Sequence, residues 1–132
     1  MARFVVKDKV VHNEVRFENR EGYLFAHITG RGEALETTRA NWRRIAEECK
    51  RRGMAKVMIF EEIEGELPFM EQYAFADGLH QLGFDDLIAA FVDAKPEQFI
   101  NNKFAEDVAV NRGARGRMFA TVEEAEAWLR SK

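Results

Sequence analysis

Lys56-Val-Met-Ile-Phe-Glu61 sets four apolar residues between two charges, with none of the apolar–polar alternation of a half-exposed strand. Asp86-Leu-Ile-Ala-Ala-Phe-Val-Asp93 repeats the pattern further along. Short runs of this kind read as strands covered on both faces, as in a parallel α/β sheet. Residues 67–82, between them, have helical spacing. Phe69, Tyr73 and Ala76, with Phe75, Leu79 and Leu82, give a wide apolar face; Pro68 stands near the first turn and Gly83 ends the segment. Strand, helix and strand in that order make a βαβ unit, and a right-handed crossover winds it into an α/β sheet.

The same reading extends in both directions. Downstream, Lys95-Pro96-Glu97 opens a third helix in which Ile100, Phe104 and Val108 recur every four residues beside Phe99, until Asn111-Arg112-Gly113. Residues 115–119 then read as a short strand that hands directly into a terminal helix. Thr121 and Glu124 form a T-x-x-E capping box there, and Val122, Ala125, Trp128 and Leu129 share one face. Upstream, residues 34–52 form a helix whose Leu35, Thr38, Trp42, Ile45 and Cys49 make an inward stripe. Lys50, Arg51 and Arg52 complement its dipole, and Gly53 is placed to cap it. Residues 3–6 and 10–18 are extended, with Val15 and Phe17 alternating against Glu14, Arg16 and Glu18. Asn19-Arg-Glu-Gly22 is a turn, and residues 23–29 return as the second arm of a hairpin. The expected fold is a single α/β domain over 1–132, with a mixed, mostly parallel sheet, an N-terminal hairpin and about four helices. Ligand-binding loops in such sheets lie beyond the carboxyl ends of the strands. These are Gly30-Arg31-Gly32, Glu61 to Leu67, Asp93 to Lys95, and Ala120-Thr121.

Composition narrows the class of function. At 132 residues, with a net charge of −3, the chain gives no reason to expect nucleic acid as a partner. The single cysteine excludes an intramolecular disulfide and fits a reducing cytoplasm. The charged start is unlike a signal peptide, and the longest apolar run falls far short of a membrane helix, so a cytoplasmic protein without stable membrane insertion is expected.

Several features together resemble the SpoIIAA-like proteins of the STAS-like fold. They are the strand, acidic loop and helix at 56–82, the strand Leu87–Asp93, the segment Phe104-Ala-Glu-Asp-Val-Ala-Val-Asn-Arg-Gly113, and the close Phe119…Glu124-Ala-Glu-Ala-Trp128-Leu129. The resemblance spans about residues 14–131. It implies a β-α superhelix and a role like that of its relatives, which include anti-sigma-factor antagonists, regulatory domains of anion transporters and lipid-binding domains. The phosphorylatable antagonists carry Ser or Thr at the start of the helix after the central strand. The matching stretch here, Glu61 to Glu71, has no hydroxyl residue, and Ser131 is the only serine in the chain. A conventional phosphoswitch is therefore not expected.

The acidic run Glu61, Glu62, Glu64, Glu66 and Glu71 is the densest charge feature. Glu62 and Glu66 flank the strand-to-helix turn and are the residues of that run singled out for ligand or partner contact. Phe69, Met70, Tyr73 and Phe75 cannot all face one sheet, so Phe69 and Tyr73 join the candidates for contact with a ligand or another subunit. Arg31, between two glycines ahead of a helix, is a candidate anion-binding residue, although Glu33 and Glu36 oppose an anion. His27 shares a strand face with Tyr23 and Phe25, which favours a packed or hydrogen-bonded role. No Cys–His spacing suits zinc, and neither a nucleophile–base pair nor a long glycine fingerprint is visible.

These observations favour a non-enzymatic regulatory or binding module without a cofactor. It would act by contact with a protein partner, or by holding a small apolar or anionic ligand near residues 67–82. The alternatives are an acid/base enzyme using a desolvated carboxylate of the 61–66 loop or Asp93, and a homodimer built on the 67–82 face.

Overall fold

Side chains alternate across a strand, so a strand with helices on both sides must be apolar on both sides. The computed structural model describes residues 2–6 and 9–132, with side chains from Val11 onward. The chain runs β1 (Ala2–Val6), β2 (Lys9–Arg20), β3 (Tyr23–Arg31), α1 (Leu35–Arg52), β4 (Lys56–Glu64) and α2 (Phe69–Asp77). It continues through β5 (Ile88–Asp93), α3 (Phe99–Asn111), β6 (Arg115–Phe119) and α4 (Val122–Arg130). The six strands lie in the sheet in chain order. The β1–β2 and β2–β3 pairs are antiparallel, and the next three pairs are parallel. This is the expected mixed, mostly parallel α/β sheet with an N-terminal hairpin and four helices.

The chain order of the strands decides where the helices go. Each of α1, α2 and α3 joins two neighbouring parallel strands, and right-handed crossovers that all step the same way put all three on one face. α4 follows the last strand and covers the opposite face. On the first face, Leu24, Ala26 and Ile28 of β3 and Val57 and Ile59 of β4 pack on Trp42, Ile45 and Cys49 of α1. On the second, Tyr23, Phe25, Met58, Ala90 and Val92 pack on Ala125 and Leu129, with Trp128 at the margin 5.5 Å from the Phe119 ring. Val57, Met58 and Ile59 are fully buried, as an interior strand requires. Among the described residues, no helix is long and apolar enough to cross a membrane.

The helix signals are met in part. Gly53 caps α1 in the left-handed conformation, and its amide donates to the Lys50 carbonyl. Thr121 caps α4 by accepting from the Glu124 amide at 3.2 Å. The Glu124 carboxylate, however, accepts from the Thr121 hydroxyl at 2.9 Å, so only half of a capping box forms. Burial pushes the Cys49 thiol up to about 11, which suits an inert core residue.

Three expectations need correction. The segment 67–82 is not one helix: α2 ends at Asp77, Gly78 interrupts it, and Leu79–Leu82 forms a separate 3-10 turn. A glycine inside a helix costs about 1 kcal/mol relative to alanine, and this one stands where the helix stops. β4 runs on to Glu64, three residues past the expected end. Finally, α3 does not bury its Ile100–Phe104 stripe; Ile100 is 81% exposed, and Asn102 and Ala109 are the buried residues. The reason is polar. Asn102 donates to Asp93 at 3.1 Å, and Glu106 accepts from the Met118 amide at 2.8 Å, bonds that exist only with this face turned toward the sheet.

Gly30 and Gly32 are bound into this framework. Asn41 donates to Asn13 at 3.0 Å, Asn13 donates to the Gly32 carbonyl at 3.2 Å, and the Gly32 amide donates to the Glu64 carbonyl at 2.6 Å. Gly30 sits at φ +147°, and a Cβ there would lie 2.1 Å from the His12 carbonyl oxygen. Gly30→Ala is therefore expected to lower stability by about 3 kcal/mol or more, read as the midpoint of urea unfolding. An unchanged midpoint would contradict this account of the β2–β3 crossing.

Candidate functional site

Between the sheet and α1–α3 lies a cavity of about 120 Å³. Its walls follow from the alternation already described. α1 contributes Trp42, α2 contributes Phe75 and Ala76, β5 contributes Ala89 and Phe91, and α3 contributes Ala105 and Ala109. Trp42 is the aromatic hub: Phe75 meets it edge-on at 5.0 Å, with Phe84 at 5.5 Å and Phe91 at 5.6 Å. The Trp42 indole is 7% exposed, yet its Nε1–H has no hydrogen-bond partner. A buried donor without a partner is uncommon and costly.

The other end of the cavity is polar. Glu33, Glu61, Glu66, Asp93 and Lys95 line it, from the segments that follow β3, β4 and β5 or close those strands. Two of the four loops expected at the carboxyl ends of the strands, Glu61 to Leu67 and Asp93 to Lys95, thus converge, together with Glu33 just beyond the Gly30–Gly32 loop. The fourth, Ala120-Thr121, leads to α4 on the opposite face.

Glu61 is the central group. Counting by twos from Val57 and Ile59 brings it onto the face beneath the helices, where it is 7% exposed. Burial pushes its carboxyl well above the usual range. The Glu33 charge, a carboxyl–carboxyl hydrogen bond to Glu33 and the Asp93 charge push the same way, while Lys95 offsets them in part. A bond between two carboxyl groups requires a proton between them. Asp93 is held more conventionally: Oδ1 accepts from the Lys95 amide at 2.9 Å and Oδ2 from Asn102 at 3.1 Å. Asn102 in turn accepts from Gln72 at 2.9 Å, which joins α2, α3 and β5 through one polar chain. Lys95 donates its ammonium to the Gly65 carbonyl across the same loops.

Of the residues singled out from sequence, Glu66 lines this cavity. Glu62 does not. β4 continues through it as a strand, so it points to the opposite face, where it meets His27 Nε2 at 2.5 Å; His27 stacks on Phe60 at 5.1 Å. Arg31 ends β3 as an exposed side chain 3.6 Å from Glu64, with both neighbouring glycines committed to the sheet. Phe69 and Tyr73 do come together, but on the outer surface, where their rings lie 5.2 and 6.5 Å from Phe104. Phe69 is 52% exposed, and its contact with Phe104 joins α2 to α3 on that surface. The same two helices wall the cavity with their inner faces. Glu61 was within reach of sequence reasoning, since the period of two already marks it as inward. Trp42 and Asn102 read as ordinary stripe and surface positions, and nothing local marks them as cavity groups.

Among the described residues, no group of three or more His, Cys, Asp or Glu side chains is arranged to hold a metal ion. The site's ionisation has a clear consequence for stability. A carboxyl whose value is raised by folding contributes most below its unfolded value of about 4.5, and that contribution is lost as pH rises through the folded value. Glu61→Gln keeps a hydrogen-bonding side chain without the buried charge. It should raise Tm at pH 8 by roughly 3 °C or more, with the gain shrinking toward pH 4. A variant less stable at pH 8 than at pH 4, relative to the parent, would refute the assignment.

Compared with known proteins, the chain matches no protein-family model and no curated protein sequence.

Proposed function

We propose that the chain is a binding module of the SpoIIAA-like kind that holds a small, largely apolar molecule in the cavity beneath α2 and α3. The observation that carries this reading is the apolar wall that Trp42, Phe75, Ala89, Phe91 and Ala109 give to a cavity of about 120 Å³. A dry cavity of about 150 Å³ holds benzene, so about 120 Å³ suits a single small ring or a short branched chain. The strand order, the N-terminal hairpin and the terminal helix docked through Ala125 and Leu129 support the kinship that the sequence suggests. The acid-rich end disfavours an anionic guest.

Toluene is the simplest probe. Titrated into the ¹⁵N-labelled chain, it should shift the Trp42 indole resonance and the amides of α2 and α3, and raise Tm in proportion to occupancy. Ala109→Leu, which takes up part of the void, should weaken both effects. Unshifted resonances at saturating toluene would overturn the proposal.

The buried Glu61 carboxyl favours a second reading, a proton-transfer catalyst acting on a guest in the same cavity. A carboxyl resonance of Glu61 that titrates in the ordinary range would remove it.

A further inference from the structure

We propose that the cavity is selective for a small apolar amine, its ammonium seated against the Glu61 and Asp93 carboxyl groups and its hydrocarbon against Trp42 and Phe91. This rests on the ligand-cavity reading above and adds the sign of the guest's charge.

Two independent observations point this way. The first is the balance of charge along the lining. Glu33, Glu61, Glu66 and Asp93 outnumber Lys95 and Arg117, the two cations of the same lining. The Lys95 ammonium donates to the Gly65 carbonyl. The Arg117 guanidinium lies 5.3 Å over the Phe119 ring, and Phe119 belongs to the core on the opposite face of the sheet. Each Asp93 oxygen accepts a single bond from the protein, which leaves a lone pair on each for a further donor. The polar partner of Glu61 is another carboxyl, Glu33, an arrangement that a cation relieves and a neutral hydrocarbon does not.

The second observation is the Trp42 indole, buried on the cavity wall. Its π-face attracts positive charge. A bare metal ion fits poorly, because no three-ligand group converges among the described residues and the remaining wall is hydrocarbon. An organic cation needs one or two carboxyls and a dry wall, and both are present.

The test compares three probes of similar size on the full chain at pH 7 by ¹⁵N NMR titration: benzylamine (cation), toluene (neutral) and benzoate (anion). Benzylamine should bind about 10-fold or more tightly than either of the others. Glu61→Gln and, as a second variant, Asp93→Asn should each reduce the ratio of benzylamine to toluene affinity several-fold. Toluene binding with no gain for benzylamine would overturn the amine assignment and leave the cavity reading standing, as would benzoate binding tightest. Binding by none of the three would overturn both.

Discussion

Everything in this molecule depends on the two-sided burial of β4. A strand alternates faces, so once Val57 and Ile59 lie beneath α1–α3 and Met58 lies beneath α4, every later residue of the strand is assigned a side. The strand does not stop at its last apolar residue. It carries Glu61 inward and Glu62 outward before the turn, and Ile63 inward again. A carboxyl is thereby held in an apolar file, where burial makes its ionisation expensive. Glu62, one residue away, is paired with His27 near solvent. The difference between a desolvated acid and a surface ion pair is one step of the pleat.

The sequential strand order supplies the rest of the site. Three crossovers of one hand put three helices on one face, and the carboxyl ends of β3, β4 and β5 then deliver Glu33, Glu61 and Asp93 to the same side of the sheet. α4 is free of that rule because no strand follows it, so it closes the second face. Distant parts of the sequence meet as a result: Asn13 of β2, Gly32 after β3 and Asn41 of α1 share one hydrogen-bonded chain under the loop that precedes α1.

Much of this was legible in the residues themselves. The interior strands, the hairpin, the inward stripe of α1 with its glycine cap and the Trp128 contact all follow from local period and local chemistry. What was not legible has physical causes. The 67–82 helix breaks at Gly78 because its surroundings accept a turn there, and helix periodicity continues through a glycine on paper. Arg31 sits between glycines that look like an anion-binding loop, but the Gly32 amide is taken by Glu64 across the sheet. Glu62 reads as a turn residue when the strand is ended at Glu61, but the strand runs on to Glu64 and turns that side chain to the opposite face. Trp42 lies on the predicted stripe of α1, and no sequence pattern says that its donor finds no acceptor.

The orientation of α3 shows why the cavity exists at all. Hydrophobic burial alone would turn Ile100 and Phe104 inward, where side chains of that size could occupy the space that Ala105 and Ala109 leave open. Instead, the Asn102–Asp93 and Glu106–Met118 bonds hold the helix in the rotated position, Phe104 meets Phe69 and Tyr73 on the outer surface, and Ile100 is left exposed. The rotation leaves apolar area exposed and a void unfilled, and the polar chain through Gln72, Asn102 and Asp93 is what opposes collapse. Removing Asn102 would strand Asp93 and Gln72 together, so the groups that shape the void's acidic end also keep it open. Space and charge in this site are set by the same bonds.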